Sequence, residues 1–298
     1  MISVIIPTLN SAKITIENVT RIQNSCQQEI DIEFIIVDDG SEEEEFKKLK
    51  AIEGTNITII RHPFNRGRAN ACNSGAEVAQ GKYLLFVDCD CYPKTETFIK
   101  AHIDTINRGA DVSLGPIWPR GNEFWQRYQH KAMKKRIKAI TSGKKYFMTS
   151  ANFMIKSIWF NKVGGFDKRY QGYGFEDRDL LLRLIKEGAI MKYSPDAAVY
   201  HDAELSLTTI FRKMKEAGTT TAPLFRQHHP EAYRELGYRA IDSMERPWLT
   251  PLALILGPLA ERLVPLADGL LKRLPFGFAA LMVKGVSATA FMYGTAKR

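Results

Sequence analysis

The chain has few cysteines, and it contains neither a low-complexity linker nor an internal repeat. Its four cysteines, Cys26, Cys72, Cys89 and Cys91, are too few and too irregularly spaced for a disulfide framework. We therefore expect reduced thiols and a reducing compartment. With 298 residues and 45% apolar content, the chain can bury one large core or two modest ones, which excludes a disordered protein.

The start of the sequence bears on secretion. Residues 2–6 already predict a strand, and no basic stretch followed by a long apolar one precedes them. We therefore expect that the chain is not secreted.

Negative charge is scarce in the second part of the chain. The net charge is +9, but residues 1–110 hold 12 Lys and Arg against 16 Asp and Glu, whereas residues 111–298 hold 30 against 17. The basic part is therefore expected to face an anionic partner, such as a phosphate, a nucleic acid or a membrane surface.

Strand and helix signals alternate through the first hundred residues, which predicts a parallel sheet flanked by helices. Strand-like runs cover residues 2–7, 33–37, 57–60 and 83–87, and the helix after the first run is expected to continue through Cys26. Ligands of open α/β sheets bind beyond the carboxyl ends of the strands. The polar residues at those ends are Thr8, Asn10, Asp38, Asp39, Arg66, Asp88 and Asp90.

The triplet Asp88-Cys89-Asp90 is the most informative of these positions, because it closes the apolar run 83–87. Two carboxylates one residue apart repel each other and lose hydration unless a hard cation lies between them. Such a site suits Mg²⁺ or Mn²⁺ shared with substrate phosphates. A surface turn would have the same letters, so the triplet alone leaves both interpretations open.

Seven motifs, in order along the chain, resemble those of the family 2 glycosyltransferases. They are Ile5-Ile6-Pro7-Thr8-Leu9-Asn10, Val37-Asp38-Asp39-Gly40-Ser41, Asn65-Arg66-Gly67 with Asn73, Val87-Asp88-Cys89-Asp90, Val163-Gly164-Gly165-Phe166-Asp167, Gly174-Phe175-Glu176-Asp177-Arg178-Asp179-Leu180 and Val199-Tyr200-His201. The resemblance implies an α/β fold of the GT-A type, with a Rossmann-like, mostly parallel sheet and flanking helices. It also implies a metal-dependent, inverting transfer of a sugar from a nucleoside diphosphate sugar, with a UDP-sugar favoured, to an acceptor hydroxyl.

The resemblance assigns the strand ends to the donor. Asp39 would accept a hydrogen bond from the base, and Arg66 would offer a planar fork to phosphate or base. There are structural alternatives for each of these residues. The aspartates or Asn10 would cap a helix, and Arg66 would be an ordinary solvated side chain. The implied donor-binding residues are Pro7, Thr8, Asn10, Asp38, Asp39, Arg66 and Asp88.

The cofactor implied by the resemblance is Mn²⁺ or Mg²⁺. Asp90 would be a direct ligand, Asp88 would contact the ribose and a water on the metal, and His201 would be a further ligand near the diphosphate. A lone histidine is more often structural. Cys89 departs from the family pattern, and its thiolate could compete for softer metals, but strand alternation is expected to turn it away from the two aspartates.

Glu176 and Asp177 begin a predicted helix, where negative charge is favoured and acidic caps are common. The resemblance implies Asp177 as the base that takes the proton of the acceptor hydroxyl. Glu176 would then orient the acceptor sugar, with Asp179 in support.

Beyond the motifs the chain is basic and then apolar. We expect a nucleotide-sugar-binding half over residues 1–110, an acceptor-binding and catalytic-base half of the same domain over residues 111–204, and a helical region over residues 205–298. Cations lie on the predicted helix 124–140 and on a second amphipathic helix. They either form a solvated helix face or bind an anionic lipid surface or a phosphorylated acceptor, and both interpretations are open. These cations are Lys131, Lys134, Lys135, Arg136 and Lys138, and Arg212, Lys213 and Lys215.

Two apolar segments occupy residues 249–260 and 276–294. The first, about 12 residues with Pro251 and Pro258, is expected to be too short to span a bilayer, and the second contains Lys284. The two segments have three open interpretations: in-plane insertion into a membrane, a single spanning helix, or packing as a soluble or oligomeric helical region. The residues expected at lipid head groups are Arg262, Lys272 and Arg273.

The expected partners are a nucleoside diphosphate sugar, a glycan or lipid-linked acceptor and an anionic membrane surface, without nucleic acid. The expected place is the cytoplasmic face of a membrane, in cell-surface polysaccharide or glycolipid assembly. The alternative is a non-catalytic protein whose basic part binds membranes or nucleic acid. A nucleotidyltransferase would need a Gly-rich basic loop after the first strand, and residues 7–11 have neither property.

Overall fold

A computed structural model describes residues 1–25, 30–147, 149–202, 205–271 and 273–297. The predictions for Cys26 and Lys272 therefore lie outside the described residues. The chain forms two compact units. The first comprises residues 1–121, 129–168 and 177–203, and the second comprises residues 122–128, 169–176 and 204–298.

The first unit is built on a seven-stranded, mostly parallel sheet, as the alternation of strand and helix signals predicts. The strands of the chain are β1 (Ile2–Thr8), β2 (Ile32–Asp38), β3 (Ile57–Arg61), β4 (Tyr83–Val87), β5 (Cys91–Pro93), β6 (Val112–Leu114), β7 (Ile117–Pro119), β8 (Asn152–Lys156), β9 (Met191–Tyr193) and β10 (Val199–His201). The order in the large sheet is β3-β2-β1-β4-β8-β6-β9, and only β8 runs antiparallel to its neighbours. A second sheet has the order β5-β10-β7.

Helices cover both faces of the large sheet. They are α1 (Ala12–Asn24), α2 (Glu43–Lys50), α3 (Arg68–Val78), α4 (Phe98–Asn107), α5 (Phe124–Thr141), α6 (Ser157–Lys162) and α7 (Glu176–Lys186), with a 3₁₀ turn at Lys145–Phe147. Successive strand residues point to opposite faces, so Ile5 packs into the core with α3 and α7, while Val4 and Ile6 pack into the core with α1 and α4. Both faces are apolar, as expected for strands buried on two sides.

The second unit is helical. Its helices are α8 (Leu207–Thr219), α9 (Thr221–His228), α10 (Pro230–Glu235), α11 (Thr250–Leu271) and α12 (Phe276–Ala296), with 3₁₀ turns at Tyr238–Ile241 and Pro247–Leu249. Its main core joins α8, α11 and α12 through side chains such as Phe211, Val264 and Val283.

The expectation that the first apolar segment is too short to span a bilayer is wrong. α11 is 22 residues long because the helix continues past Pro258 and Pro265. Each proline removes one backbone donor but leaves the rest of the helical ladder in place. Pro247–Leu271 and Phe276–Ala296 are both long and apolar enough to cross a membrane by length and composition.

His102 on α4 is fully buried in the first unit. Its Nδ1 lies 2.9 Å from the Ser113 hydroxyl, and its Nε2 lies 3.1 Å from the side-chain oxygen of Asn152. Because an amide oxygen only accepts, we assign the ring proton to Nε2. Burial lowers the pKa of His102 to about 4, and the hydrogen bond with Asn152 opposes this shift.

We expect His102 to make the folded protein less stable as the pH falls. The unfolded chain protonates this histidine near its ordinary pKa of about 6.5, whereas the folded protein keeps it neutral, so the unfolded state binds more protons below that pH. Between about pH 7 and about pH 5 the free energy of unfolding should fall by about 2 kcal/mol through this residue. Urea denaturation at the two pH values measures the change.

The variant His102→Asn lacks the titrating group. Its free energy of unfolding should therefore lose this part of the pH dependence, even if the substitution also changes the stability at pH 7. His130→Asn, at a partly exposed histidine, should keep the wild-type dependence. Equal pH dependence in the wild type and in His102→Asn would contradict a buried neutral histidine.

Candidate active site

The carboxyl ends of neighbouring strands bring the predicted polar residues to one edge of the large sheet. β1 lies between β2 and β4 and is parallel to both, and Thr8 is paired with Asp38. Asp39 directly follows β2, and Asp88 directly follows β4. The strand order therefore places residues that are distant in sequence along one edge, where open α/β sheets bind ligands.

Asp39 is a buried carboxylate whose oxygens mostly bond within the protein. Its Oδ1 accepts hydrogen bonds from His62 Nδ1 at 2.7 Å and from the backbone N–H of Arg66 at 2.9 Å. Its Oδ2 accepts one from the backbone N–H of Gly67 at 2.8 Å. His62 is held in turn by the Ser74 hydroxyl, 2.9 Å from Nε2. A carboxylate has roughly four acceptor positions, and the described contacts of Asp39 use three of them. One position is therefore left to accept a hydrogen bond from a ligand.

Asp38 and Thr8 are held inside the protein. Asp38 is fully buried, its Oδ1 accepts a hydrogen bond from the backbone N–H of Ser41 at 3.2 Å, and its Oδ2 lies 3.6 Å from Arg61 Nε. The Thr8 hydroxyl lies 2.8 Å from the hydroxyl of Thr15.

Asn10 joins two loops at the same edge of the sheet. Its side-chain oxygen accepts a hydrogen bond from the backbone N–H of Glu42 at 2.9 Å, and its own N–H donates to the Ser41 hydroxyl at 2.7 Å. Glu42 immediately precedes α2, so Asn10 caps α2 rather than α1. Pro7 is buried in β1 opposite Val37. Nucleotide binding by these residues stays a prediction.

Arg68, rather than Arg66, brings a guanidinium to the acidic triplet. The side chain of Arg66 is exposed. Gly67 lies between the two arginines with a φ of +87°, a left-handed conformation that glycine adopts readily. Nε and Nη2 of Arg68 lie 2.8 Å and 2.7 Å from Asp88 Oδ1, and its Nη1 lies 3.3 Å from Asp177 Oδ1. One guanidinium therefore connects an aspartate of the acidic triplet with the predicted base.

Ser150 completes this cluster. Its hydroxyl accepts a hydrogen bond from Arg68 Nη1 at 2.8 Å and donates to Asp177 Oδ1, and its carbonyl accepts from Nη2 at 3.1 Å. Ser150 is fully buried, whereas the Asp177 side chain is 17% exposed. Two donors thus orient a carboxylate that solvent still reaches.

Asp90 and His201 come together although 111 positions separate them. β10 runs antiparallel to β5, with His201 opposite Cys91, and this register puts His201 Nε2 3.1 Å from Asp90 Oδ2. The possible ligand atoms of Asp90, Cys91 and His201 lie within 4.8 Å of one another. Burial and the nearby aspartates raise the pKa of Cys91 well above its usual range, so this group remains a thiol. The candidate ligands in this group are therefore the Asp90 carboxylate and the His201 imidazole.

The triplet forms a turn between β4 and β5, so the expected strand alternation is not what orients Cys89. Burial raises the pKa of Cys89 to about 12, with further contributions from Asp90 and Asp88, and hydrogen bonds with Thr8 and Thr15 oppose the shift. A protonated thiol is a poor metal ligand. Burial also raises the pKa of Asp88, and Asp90 and Asp177 add to that rise while Arg68 opposes it.

The helix predicted after Gly174 begins at Glu176, as expected. Phe175 precedes it with a φ of +72°, which is costly for a bulky side chain. Its ring lies 4.8 Å from that of Phe225 and 4.9 Å from that of Tyr238, measured between centroids within the second unit. This aromatic packing holds the strained backbone directly before Glu176, which is buried.

Three residues of the site were not predicted from the sequence: His62, Arg68 and Ser150. None belongs to a motif with a recognisable spacing, and Ser150 lies 82 positions from Arg68. Arg68 directly follows the motif Asn65-Arg66-Gly67. A second cation beside Gly67 was therefore the one sequence signal that could have identified Arg68 as a site residue.

We expect Arg68→Gln to destabilise the protein by about 1–3 kcal/mol, because Asp88, Asp177 and Ser150 lose a shared donor. Arg66→Gln, two positions away with an exposed side chain, should change the free energy of unfolding by less than about 0.5 kcal/mol. Urea denaturation of the two variants provides the comparison. A loss in Arg68→Gln as small as the one expected for Arg66→Gln would contradict a stabilising role of the Arg68 contacts.

Comparison with known proteins agrees with the family resemblance and with the fold. The family model described as glycosyl transferase family 2 matches residues 3–169, and a model described as the N-terminal domain of galactosyltransferase matches residues 138–201. A mannosyltransferase, PcManGT, from Pyrobaculum calidifontis, solved in complex with GDP-Man and Mn²⁺, has a similar structure. Its TM-score is 0.62 at 18% identity, covering 98% of this chain and 86% of that one.

Two curated relatives come from Mycobacterium tuberculosis. A pre-mycofactocin glycosyltransferase is 26% identical over 243 residues, covering 76% of this chain and 48% of the relative. An N-acetylglucosaminyl-diphospho-decaprenol L-rhamnosyltransferase is 30% identical over 158 residues, covering 53% of this chain and 45% of the relative. The aligned region thus spans about half the length of each relative. Because the family 2 model matches more than half of this chain, the chain belongs to glycosyl transferase family 2.

Proposed function

We propose that the chain transfers a sugar from a nucleoside diphosphate sugar to an acceptor hydroxyl with inversion at the anomeric carbon. The observation that carries this proposal is the guanidinium of Arg68, which bonds both Asp88 of the acidic triplet and Asp177. The group proposed as base is therefore directly connected to the side of the site proposed for the leaving diphosphate. Residues 1–110 would bind the donor, and residues 111–204 would supply the base and the acceptor site.

The carboxylate and imidazole of Asp90 and His201, with Asp88 beside them, fit a divalent cation such as Mn²⁺ or Mg²⁺, for which oxygen ligands predominate. When bound, the cation would neutralise the negative charge that develops on the leaving diphosphate. Asp90 and His201 would hold it, and Asp88 would contact the ribose.

Asp177 would accept the proton of the acceptor hydroxyl as its oxygen attacks the anomeric carbon. The new bond joins that oxygen to the anomeric carbon, and the bond from the anomeric carbon to the phosphate oxygen breaks, releasing the nucleoside diphosphate. Hydrogen bonds from Ser150 and Arg68 hold the Asp177 carboxylate in one orientation for this transfer. Glu176 would orient the acceptor sugar. Because the acceptor oxygen displaces the diphosphate directly, no covalent sugar–enzyme step is required.

The acceptor positions of Asp39 favour a uracil base. Three of its acceptor positions are used by His62 and by the backbone N–H groups of Arg66 and Gly67. Uracil presents a single ring N–H, which matches the one remaining position, whereas guanine presents an adjacent N–H and NH₂ that together need two. A UDP-sugar is therefore the proposed donor, with Pro7, Thr8 and Asn10 lining the base or ribose.

A glycan or lipid-linked acceptor at the cytoplasmic face of a membrane is the proposed partner, in polysaccharide or glycolipid assembly. The relative that acts on a decaprenol-linked sugar supports a lipid carrier. The exposed cations Lys134, Lys135 and Lys138 on α5 suit an anionic surface, as do two helices apolar enough to cross a membrane.

We expect Asp90→Ala and Asp177→Asn to fail at different steps. Asp90→Ala should lose the Mn²⁺-dependent part of donor binding, because it removes a ligand. Asp177→Asn should keep donor and Mn²⁺ binding but transfer sugar at least about a hundredfold more slowly, because it lacks a base. Isothermal titration with donor and Mn²⁺ measures binding, and release of nucleoside diphosphate in the presence of glycan and polyprenyl-phosphate acceptors measures transfer.

Asp196→Asn, at an exposed aspartate on the loop before β10, is the matched control and should behave as wild type in both assays. Full turnover in both Asp90→Ala and Asp177→Asn would overturn the assigned roles. Tight, salt-sensitive binding of vesicles or nucleic acid without any turnover would instead support the non-catalytic alternative.

We expect UDP-sugars with Mn²⁺ to raise the melting temperature more than GDP-sugars do, because a donor that binds only the folded protein stabilises it. At a hundredfold excess over its dissociation constant, a ligand adds about 2.7 kcal/mol. A donor-panel thermal-shift screen with and without Mn²⁺ tests this, with Asp90→Ala as the metal-binding control. A larger shift with GDP-sugars would refute the argument from Asp39.

A further inference from the structure

One outer face of α11 is an uninterrupted aliphatic stripe. Spacings of three and four residues place six side chains on one side of the helix, and their exposed fractions lie between 44% and 74%. They are Leu252, Ile255, Leu259, Leu263, Leu266 and Leu270. At 1.5 Å per residue the stripe is about 27 Å long and runs parallel to the helix axis.

The acidic residues of α11 bond away from this stripe. Glu261 lies 2.7 Å from Lys215 Nζ on α8. Asp268 accepts a hydrogen bond from the backbone N–H of Leu207 at 2.6 Å, at the start of α8. Among the described residues, the exposed charges that border the stripe are those of Arg262 at its edge and Arg273 beyond its end, and both are positive. An aliphatic face bordered by cations is complementary to anionic lipid, whereas a second copy of the same face would oppose cation to cation.

α12 does not offer lipid a face along its whole length. Its C-terminal half packs on α8 so closely that a Cβ at Gly294 would lie 2.1 Å from the carbonyl oxygen of Lys215, and one at Gly218 would lie 2.5 Å from that of Phe291. Phe278 and Leu281, in the N-terminal half, are the large apolar side chains of α12 with high exposure, at 69% and 67%. A helix exposed to lipid on all sides would have most of its surface in hydrocarbon, whereas this one buries residues 290–295 in protein.

The prolines of α11 also disfavour crossing. Pro258 and Pro265 leave the carbonyls of Leu254 and Glu261 without their helical donors. Both of those residues lie on the side of the helix away from the stripe, since they are two turns apart and Glu261 bonds to α8. In a spanning helix these carbonyls would need protein donors, whereas in a helix lying along the surface water or head groups can satisfy them.

We infer that α11 lies in the plane of a membrane with its leucine stripe in the acyl boundary, and that neither α11 nor α12 crosses the bilayer. Trp248, 68% exposed just before α11, and Phe278, at the start of α12, add exposed rings suited to the interface. The inference deepens the proposed function by defining how the chain meets a membrane that carries the acceptor. Its test uses neither donor nor acceptor, so it can fail or succeed independently of sugar transfer.

Flotation of the full chain with phosphatidylcholine vesicles, with and without about one-third phosphatidylglycerol, tests the surface. Leu259→Gln should weaken partitioning into the anionic vesicles roughly fivefold to tenfold, and Leu259→Gln with Leu266→Gln should reduce it further. Leu254→Gln is the matched control, because Leu254 is 48% exposed and Leu259 51% on the same helix, but Leu254 lies off the stripe. It should bind within about twofold of wild type.

Unchanged melting temperatures in detergent would confirm that the variants fold. Equal losses in Leu254→Gln and Leu259→Gln would overturn the stripe as the binding face. A dimer in sedimentation that Leu266→Gln dissociates, with no vesicle binding by the wild type, would overturn lipid in favour of a second copy.

Crossing is tested separately with Trp248→Cys and Leu274→Cys, at the two ends of α11. An impermeant maleimide added outside sealed vesicles should label both positions, with wild-type labelling as the background, because the described native cysteines are mostly buried. Protection of one end until detergent is added would show that α11 spans the bilayer and would overturn the in-plane arrangement.

Discussion

The structure depends on one electrostatic constraint: parallel strands deliver several aspartates to one edge of a sheet, and each carboxylate there must be compensated. Asp39 is compensated by two backbone N–H groups and by His62, which also anchors the loop into α3. Asp88 and Asp177 share Arg68, and Asp90 faces His201. These partners are drawn from distant segments, so the same contacts that neutralise the edge also join the loops that form the site.

This arrangement separates the tasks of the site in space. Asp39 lies at the end of β2 with one acceptor position left in the described contacts, which suits recognition of a base rather than catalysis. The turn after β4 places the Asp90 carboxylate beside the His201 imidazole at the end of β10, and these two groups are the proposed metal ligands. The thiols of Cys89 and Cys91 stay protonated through burial. Asp177 stands apart at the start of α7, partly open to solvent and oriented by Ser150. The buried, strained Phe175 is held by aromatic packing within the second unit.

The helical second unit obeys a different constraint, because its apolar surface exceeds what its own core can cover. Glycines let α8 and α12 approach closely and bury the C-terminal half of α12. α11 contributes Val264 to the same core and leaves its opposite face of leucines exposed. Two helices of similar hydropathy thus have different surroundings, a distinction that composition and length alone do not make.

Much of this protein follows from the sequence by itself. Apolar runs of strand length alternating with helices determined the mostly parallel sheet, and seven ordered motifs determined the family, because both depend on local spacing. The strand ends marked Asp39, Asp88 and Asp90, and the helix start marked Asp177. Only the tertiary structure decided that Arg68 rather than Arg66 reaches the carboxylates, that Ser150 lies between them, and that α11 continues through two prolines. These depend on strand order, on the backbone turn at Gly67 and on packing between segments far apart in the chain, for which no local pattern exists.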